Sequence, residues 1–98
     1  MAWADRHVAA LQRGKVVQFR PRGNSMTGRI NDGQLVTVQP VAVEDVHCGD
    51  IVLCKVKGQQ YLHLVKAIAL PLVLIGNNKG KVNGWTRHVY GRVTKVEA

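Results

Sequence analysis

Residues 21–28, Pro-Arg-Gly-Asn-Ser-Met-Thr-Gly, set a single serine among glycines. A serine in such a stretch commonly bonds its own turn. It can also present its hydroxyl to a carbonyl carbon as a nucleophile, provided that a nearby base removes the proton. The chain offers three candidate bases, Lys66, His63 and His88.

Two of these lie in Tyr61-Leu62-His63-Leu64-Val65-Lys66-Ala67-Ile68. Side chains alternate between the faces of a strand. Strict alternation sets Leu62, Leu64, Lys66 and Ile68 on one face, with Tyr61, His63, Val65 and Ala67 on the other. Lys66 is then a cation in an apolar row. Either its ammonium reaches water past an apolar stem, or it is a desolvated, neutral amine, as a lysine base must be. His63 faces away from Lys66, so the two are not expected to serve one substrate atom. His63 and His88 read as packed or surface histidines.

Short strands must position these groups. Only residues 3–14, with Val8 and Leu11 at helical spacing and Gly14 as a stop, read as helix. After them come six extended segments rich in valine, leucine and isoleucine: 15–19, 34–41, 50–57, 60–68, 72–77 and 88–96. Between them lie turn residues, with 77–86 (Asn-Asn-Lys-Gly-Lys-Val-Asn-Gly-Trp-Thr) read as one structured loop. Residues 57–60, Lys-Gly-Gln-Gln, join two of the segments as a hairpin. The expectation is one all-β domain over residues 15–98, antiparallel or mixed, with a short helical arm over 1–14.

The 98 residues are enough for a modest core. No apolar run reaches the roughly 18 residues that a membrane helix needs, and Asp5, Arg6 and His7 stand where a signal peptide is apolar. A cytoplasmic protein without a membrane partner is expected. Cys48 and Cys54 read as reduced thiols. The set His47, Cys48, Cys54 and His63 lacks the paired spacing of a zinc site, and no metal or other cofactor is expected. The net charge of +8 is spread along the chain without a basic run or interleaved aromatics. It points to a solvated surface with weak, salt-sensitive and non-specific affinity for nucleic acids at most.

Three pieces carry a family resemblance: 23–38 (Gly-Asn-Ser-Met-Thr-Gly-Arg-Ile-Asn-Asp-Gly-Gln-Leu-Val-Thr-Val), 48–68 around Gly49-Asp50-Ile51-Val52, and 90–96 (Tyr-Gly-Arg-Val-Thr-Lys-Val). Together they resemble the catalytic domain shared by LexA-type repressors, UmuD-type proteins and bacterial signal peptidases, whose active members use a Ser–Lys dyad on an all-β fold. The resemblance runs over about residues 15–96. It implies Ser25 as nucleophile with Met26 as its neighbour, and Lys66 as base, with Ala67 in place of the usual arginine. It further implies oxyanion support from the backbone around Asn24, Ser25 and Met26, where Gly23 frees the chain, and the Thr27 hydroxyl as a group to orient the amine. Trp85 is a candidate wall of the substrate groove.

The chain departs from its relatives in three ways. It has no helix-turn-helix, no Ala-Gly or Cys-Gly cleavage dipeptide before Ser25, and no membrane anchor. The resemblance therefore implies a stand-alone Ser–Lys peptidase acting in trans on a protein or peptide, with room for a homodimer, as in many relatives. The competing expectation is a regulatory protein-binding or basic nucleic-acid accessory module that keeps the fold without the chemistry.

Overall fold

The structure, a computed structural model, describes residues 2–98. Helix α1 (Asp5–Gln12) is followed by strands β1 (Val17–Phe19), β2 (Leu35–Pro40), β3 (Ile51–Val56), β4 (Gln59–Ala69), β5 (Leu72–Gly76), β6 (Val82–Thr86) and β7 (His88–Glu97). All seven strands join one sheet in the order β1-β2-β7-β3-β4-β5-β6, and every pairing is antiparallel. The domain is all-β with one short N-terminal helix, as the alternating apolar segments imply.

The hairpin expected at residues 57–60 joins β3 to β4, with Val56 opposite Gln59. Lys57 and Gly58 both have positive φ, 51° and 81°, as a two-residue turn matched to strand twist requires. From this hairpin the alternate residues feed two apolar clusters. Ile51, Leu53, Leu62 and Leu64 join Val36, Val38, Met26 and Ile30 on one face. Val52, Cys54, Val56 and Val65 join Val73 and Ile75 on the other. Leu53 is completely buried, and its truncation to alanine would cost about 2–5 kcal/mol. Helix α1 is more than an arm. Ala4 and Leu11 lie in the first cluster, and Gly91 of β7 leaves the room that Leu11 occupies. Among the described residues no helix is long and apolar enough to cross a membrane.

Two features depart from the sequence reading, and both bear on the site. Residues 82–86, expected within a loop, form strand β6 at the edge of the sheet. The sheet coils until β6 meets the end of β3, where the Thr86 hydroxyl donates to the Lys55 carbonyl at 2.6 Å. Gly84 permits that approach, because its φ is +138° and a Cβ there would lie 3.3 Å from Val56 Cγ1.

The second departure is a bulge in β4. Val65 pairs with Ile75 and Ala67 with the next residue, Leu74, so Lys66 is left over. One extra residue reverses the alternation beyond it. Ile68, opposite Val73, therefore falls in step with Val65 and not with Leu64. Lys66 leaves the apolar row in which strict alternation had set it. Its side chain is exposed, with the stem lying over Gly76.

Candidate active site

Ser25 sits in the segment between β1 and β2, and that segment is pinned at several points. Met26 and Ile30 are buried anchors. The Ile30 amide donates to the Met26 carbonyl at 2.8 Å, and the Gly23 amide to Asp32 Oδ1 at 2.9 Å. Thr27 does not orient an amine. Its hydroxyl donates to the Asn24 carbonyl at 2.7 Å and tightens the turn. From across the site, Asn78 donates its amide to the Ser25 carbonyl at 3.1 Å and its Nδ2 to the Thr27 carbonyl at 2.8 Å. A nucleophile needs a fixed hydroxyl, and these bonds fix the backbone that carries it.

The hydroxyl of Ser25 does not meet Lys66. It lies 3.1 Å from His63 Nε2. The expected Ser25–Lys66 contact is not among the hydrogen bonds of the described residues, and Ser25 meets His63 instead: the bulge leaves Lys66 exposed, while His63 precedes it and is buried. His63 pairs with Val52 on the face of the second apolar cluster and is itself buried. Tyr61, two residues before it, stacks on the imidazole with centroids 4.9 Å apart.

The other ring nitrogen is engaged as well. His63 Nδ1 lies 2.7 Å from Asn83 Oδ1. An amide oxygen only accepts, so Nδ1 carries the hydrogen, and the lone pair of Nε2 is turned toward the serine hydroxyl. Asn83 reaches the ring because β6 coils over β3. Burial holds the His63 pKa below its usual value of 6.5; the hydrogen bond to Asn83 opposes this shift, and the charge of Lys81 adds to it. His63 is thus an uncharged imidazole at neutral pH, as a general base should be.

The remaining expected residues fall as follows. Asn24 and Met26 flank Ser25, the first turning the chain and the second anchoring it. No protein group accepts a hydrogen bond from the Ser25 amide among the described residues. Trp85 is not part of the cleft: it is 47% exposed on β6, opposite Leu74. The segment that bears it does contribute, through Asn78 and Asn83. Asn77 Oδ1 accepts from the amides of Lys79 and Lys81 at 2.9 Å each and shapes the turn between β5 and β6. His88 is exposed on β7. Cys48 is exposed, whereas Cys54 is buried and its thiol pKa is pushed up to about 12 by desolvation. No three His, Cys, Asp or Glu side chains converge on a metal position among the described residues.

Ser25 and His63 line a cleft of about 420 Å³ that runs from Met26 and Leu62 to Trp3 and Phe19. A serine, a neutral histidine and a side chain that holds the histidine's tautomer, set on a cleft, form an arrangement that has the chemistry acyl transfer needs.

A family model described as Peptidase S24-like matches residues 3–83. The chain belongs to the peptidase S24-like family. The matched span holds Ser25, His63 and Asn83. Comparison with curated proteins returned no significant match. The family agrees with the resemblance carried by the Ser25 turn and the Gly49-Asp50-Ile51-Val52 strand entry.

Asn83 is the residue of this cluster that the sequence does not single out. It lies in a stretch whose Asn and Gly suggest a loop. The signal for His63 was present, since it is the one side chain in the row Tyr61, His63, Val65 whose ordinary titration lies near neutrality. Strict alternation faces it away from Lys66, the base that the resemblance implies, and it reads there as a packed histidine.

Proposed function

We propose that this S24-like chain is a serine peptidase whose base is a histidine where the active relatives named above use a lysine. The observation that carries the reading is the unbroken hydrogen-bonded line from Ser25 Oγ through His63 to Asn83 Oδ1. Ser25 Oγ attacks the carbonyl carbon of a peptide bond, and its proton passes to His63 Nε2. The Ser25 amide, which has no acceptor among the described residues, is available to the oxyanion. The imidazolium then returns its proton to the leaving amine, which departs and leaves an acyl-serine. A water, deprotonated by His63, attacks the acyl carbon and releases the acid, and Ser25 recovers its proton. Asn83 keeps the imidazole in the required tautomer and orientation throughout. No metal or other cofactor enters any of these steps.

The test combines a peptide library with an active-site acylating probe such as a fluorophosphonate, applied to the wild type, Ser25→Ala, His63→Ala and Lys66→Ala. Cleavage and labelling by the wild type and Lys66→Ala alone support the reading. Full activity in His63→Ala, or loss in Lys66→Ala only, overturns it. Absence of both cleavage and labelling in every form leaves a protein-binding module as the better account of the fold.

A further inference from the structure

The far end of the cleft has a composition that acyl transfer does not require. Trp3, His7 and Phe19 come together there from opposite ends of the N-terminal segment. Phe19 stacks on the His7 ring at 4.2 Å and meets the Trp3 ring edge-on at 5.8 Å. Burial lowers the His7 pKa, so this imidazole acts in the stack as a neutral ring. Residues 3–5 are held against the first part of β4 through Gln60. The Trp3 indole donates to the Gln60 carbonyl at 3.3 Å, the Ala4 amide to Gln60 Oε1 at 3.0 Å, and Gln60 Nε2 to Asp5 Oδ1 at 2.8 Å. Trp3 is nevertheless 54% exposed. An indole tied in place by its N–H while half its surface meets water is a pre-formed apolar wall.

The rim of this wall is cationic. Arg20 and Arg22 both line the cleft. Arg20 donates to the Gly33 carbonyl, and neither arginine forms an ion pair with an acidic side chain among the described residues. Among the described residues no acidic side chain lines the cleft, whose remaining polar groups are Asn31 and Gln60 together with Ser25, His63 and Tyr61. A site of this size suits one large side chain and the backbone on either side of it.

We propose that the cleft selects an extended peptide segment in which a large apolar residue, leucine or phenylalanine, stands beside an acidic residue. The apolar side chain packs on Trp3 and Phe19, and the neighbouring carboxylate pairs with Arg22. The placement of that segment against Ser25 rests on the peptidase reading. The choice of side chain rests on the aromatic wall and the arginines alone.

The experiment therefore measures binding separately from chemistry. Fluorescein-labelled Gly-Gly-X-Glu-Gly-Gly peptides, with X as Leu, Phe or Ala, are titrated by anisotropy into Ser25→Ala at low and at physiological salt. A second set carries Lys in place of Glu. Leu and Phe should bind at least about tenfold tighter than Ala, in keeping with the discrimination that a pocket gives per apolar group, and Glu should bind tighter than Lys. Trp3→Ala should erase the Leu-over-Ala preference while keeping Glu over Lys. Arg22→Glu should reverse the charge preference while keeping Leu over Ala. Thermal unfolding shows whether each variant is folded, and Phe19→Leu gives a milder test of the same wall. Equal binding of the Leu and Ala peptides, or tighter binding of the Lys set, overturns the proposal. If the wild type cleaves peptides without regard to X, this inference fails and the peptidase reading stands. If nothing is cleaved but the preferences hold, the peptidase reading fails and this inference stands.

Discussion

Strand β4 carries a histidine and a lysine three residues apart, and the sheet treats them in opposite ways. His63 lies before the bulge, paired with Val52, buried, stacked on Tyr61 and hydrogen-bonded through both nitrogens. Lys66 is the bulge, unpaired in the ladder and exposed. What separates them is phase. A lysine base depends on desolvation to lose its proton, and one extra residue in the ladder is enough to restore its water. A histidine needs far less help, since its ordinary titration already lies near neutrality. Where a strand can desolvate only one of two such groups, histidine reaches the neutral form at the smaller cost.

The largest effects should come from the buried side of this comparison. His63→Ala should lower the rate of peptide cleavage by roughly 10²–10⁴-fold, the usual contribution of a positioned base. Ser25→Ala should do at least as much, and the double variant should lose little more, because the two act as a unit. Equal and additive losses would break the unit apart. The pH profile sharpens the same point. Because burial depresses the His63 pKa, the neutral, active form prevails above the usual 6.5 and is lost as pH falls through the lower value of the folded protein. Cleavage should therefore be level from about pH 7 upward, with its acid limb below 6.5. A rate still climbing tenfold per unit at pH 8 would point to an amine base instead.

The next effect is smaller. Asn83→Leu removes the acceptor for Nδ1–H and leaves that donor buried, a cost of about 1–3 kcal/mol. Cleavage should fall roughly ten- to a hundredfold, with most of the loss in kcat. Asn83→Asp should keep or raise activity and move the acid limb upward, since a carboxylate favours the imidazolium. An unchanged limb in Asn83→Asp would show that residue 83 does not touch the ring in solution.

Gly84→Ala tests how Asn83 is delivered. At φ +138°, with Val56 Cγ1 close by, the added methyl should destabilise the fold by about 1–3 kcal/mol, measured by denaturant titration. Activity should fall further than stability at temperatures where the variant is folded. The smallest effect belongs to the exposed side of the comparison. Lys66→Ala should change cleavage less than about twofold and stability by no more than about 0.5 kcal/mol.

The segments that became β2, β3, β4, β5 and β7 were readable because valine and leucine alternate or run continuously through them, and the Lys57-Gly58 turn because a glycine, which accepts positive φ, breaks two such runs. The Ser25 turn was readable from its glycines and from the family pattern. Three things were not. Strand β6 carries Asn83 and Gly84, which are poor in strand propensity, and it is held there by the coil of the sheet and the bond from Thr86 to Lys55. The bulge at Lys66 leaves no mark in a row of apolar residues, because every residue around it suits a strand in either phase. The choice of base followed from that bulge. Alternation set His63 and Lys66 on opposite faces, but it could not show that the bulge would take Lys66 out of its row, nor which of the two would reach Ser25.

The stretch from Asn78 to Asn83, the turn after β5 and the start of β6, limits how this site can vary. Asn78 grips the backbone of the Ser25 loop, and Asn83 grips the ring of His63. The two halves of the site are thus gauged against each other by one short piece of chain. A substitution within that piece changes a contact. An insertion or deletion changes the ruler, and would leave every reactive side chain in the molecule with none of them in register.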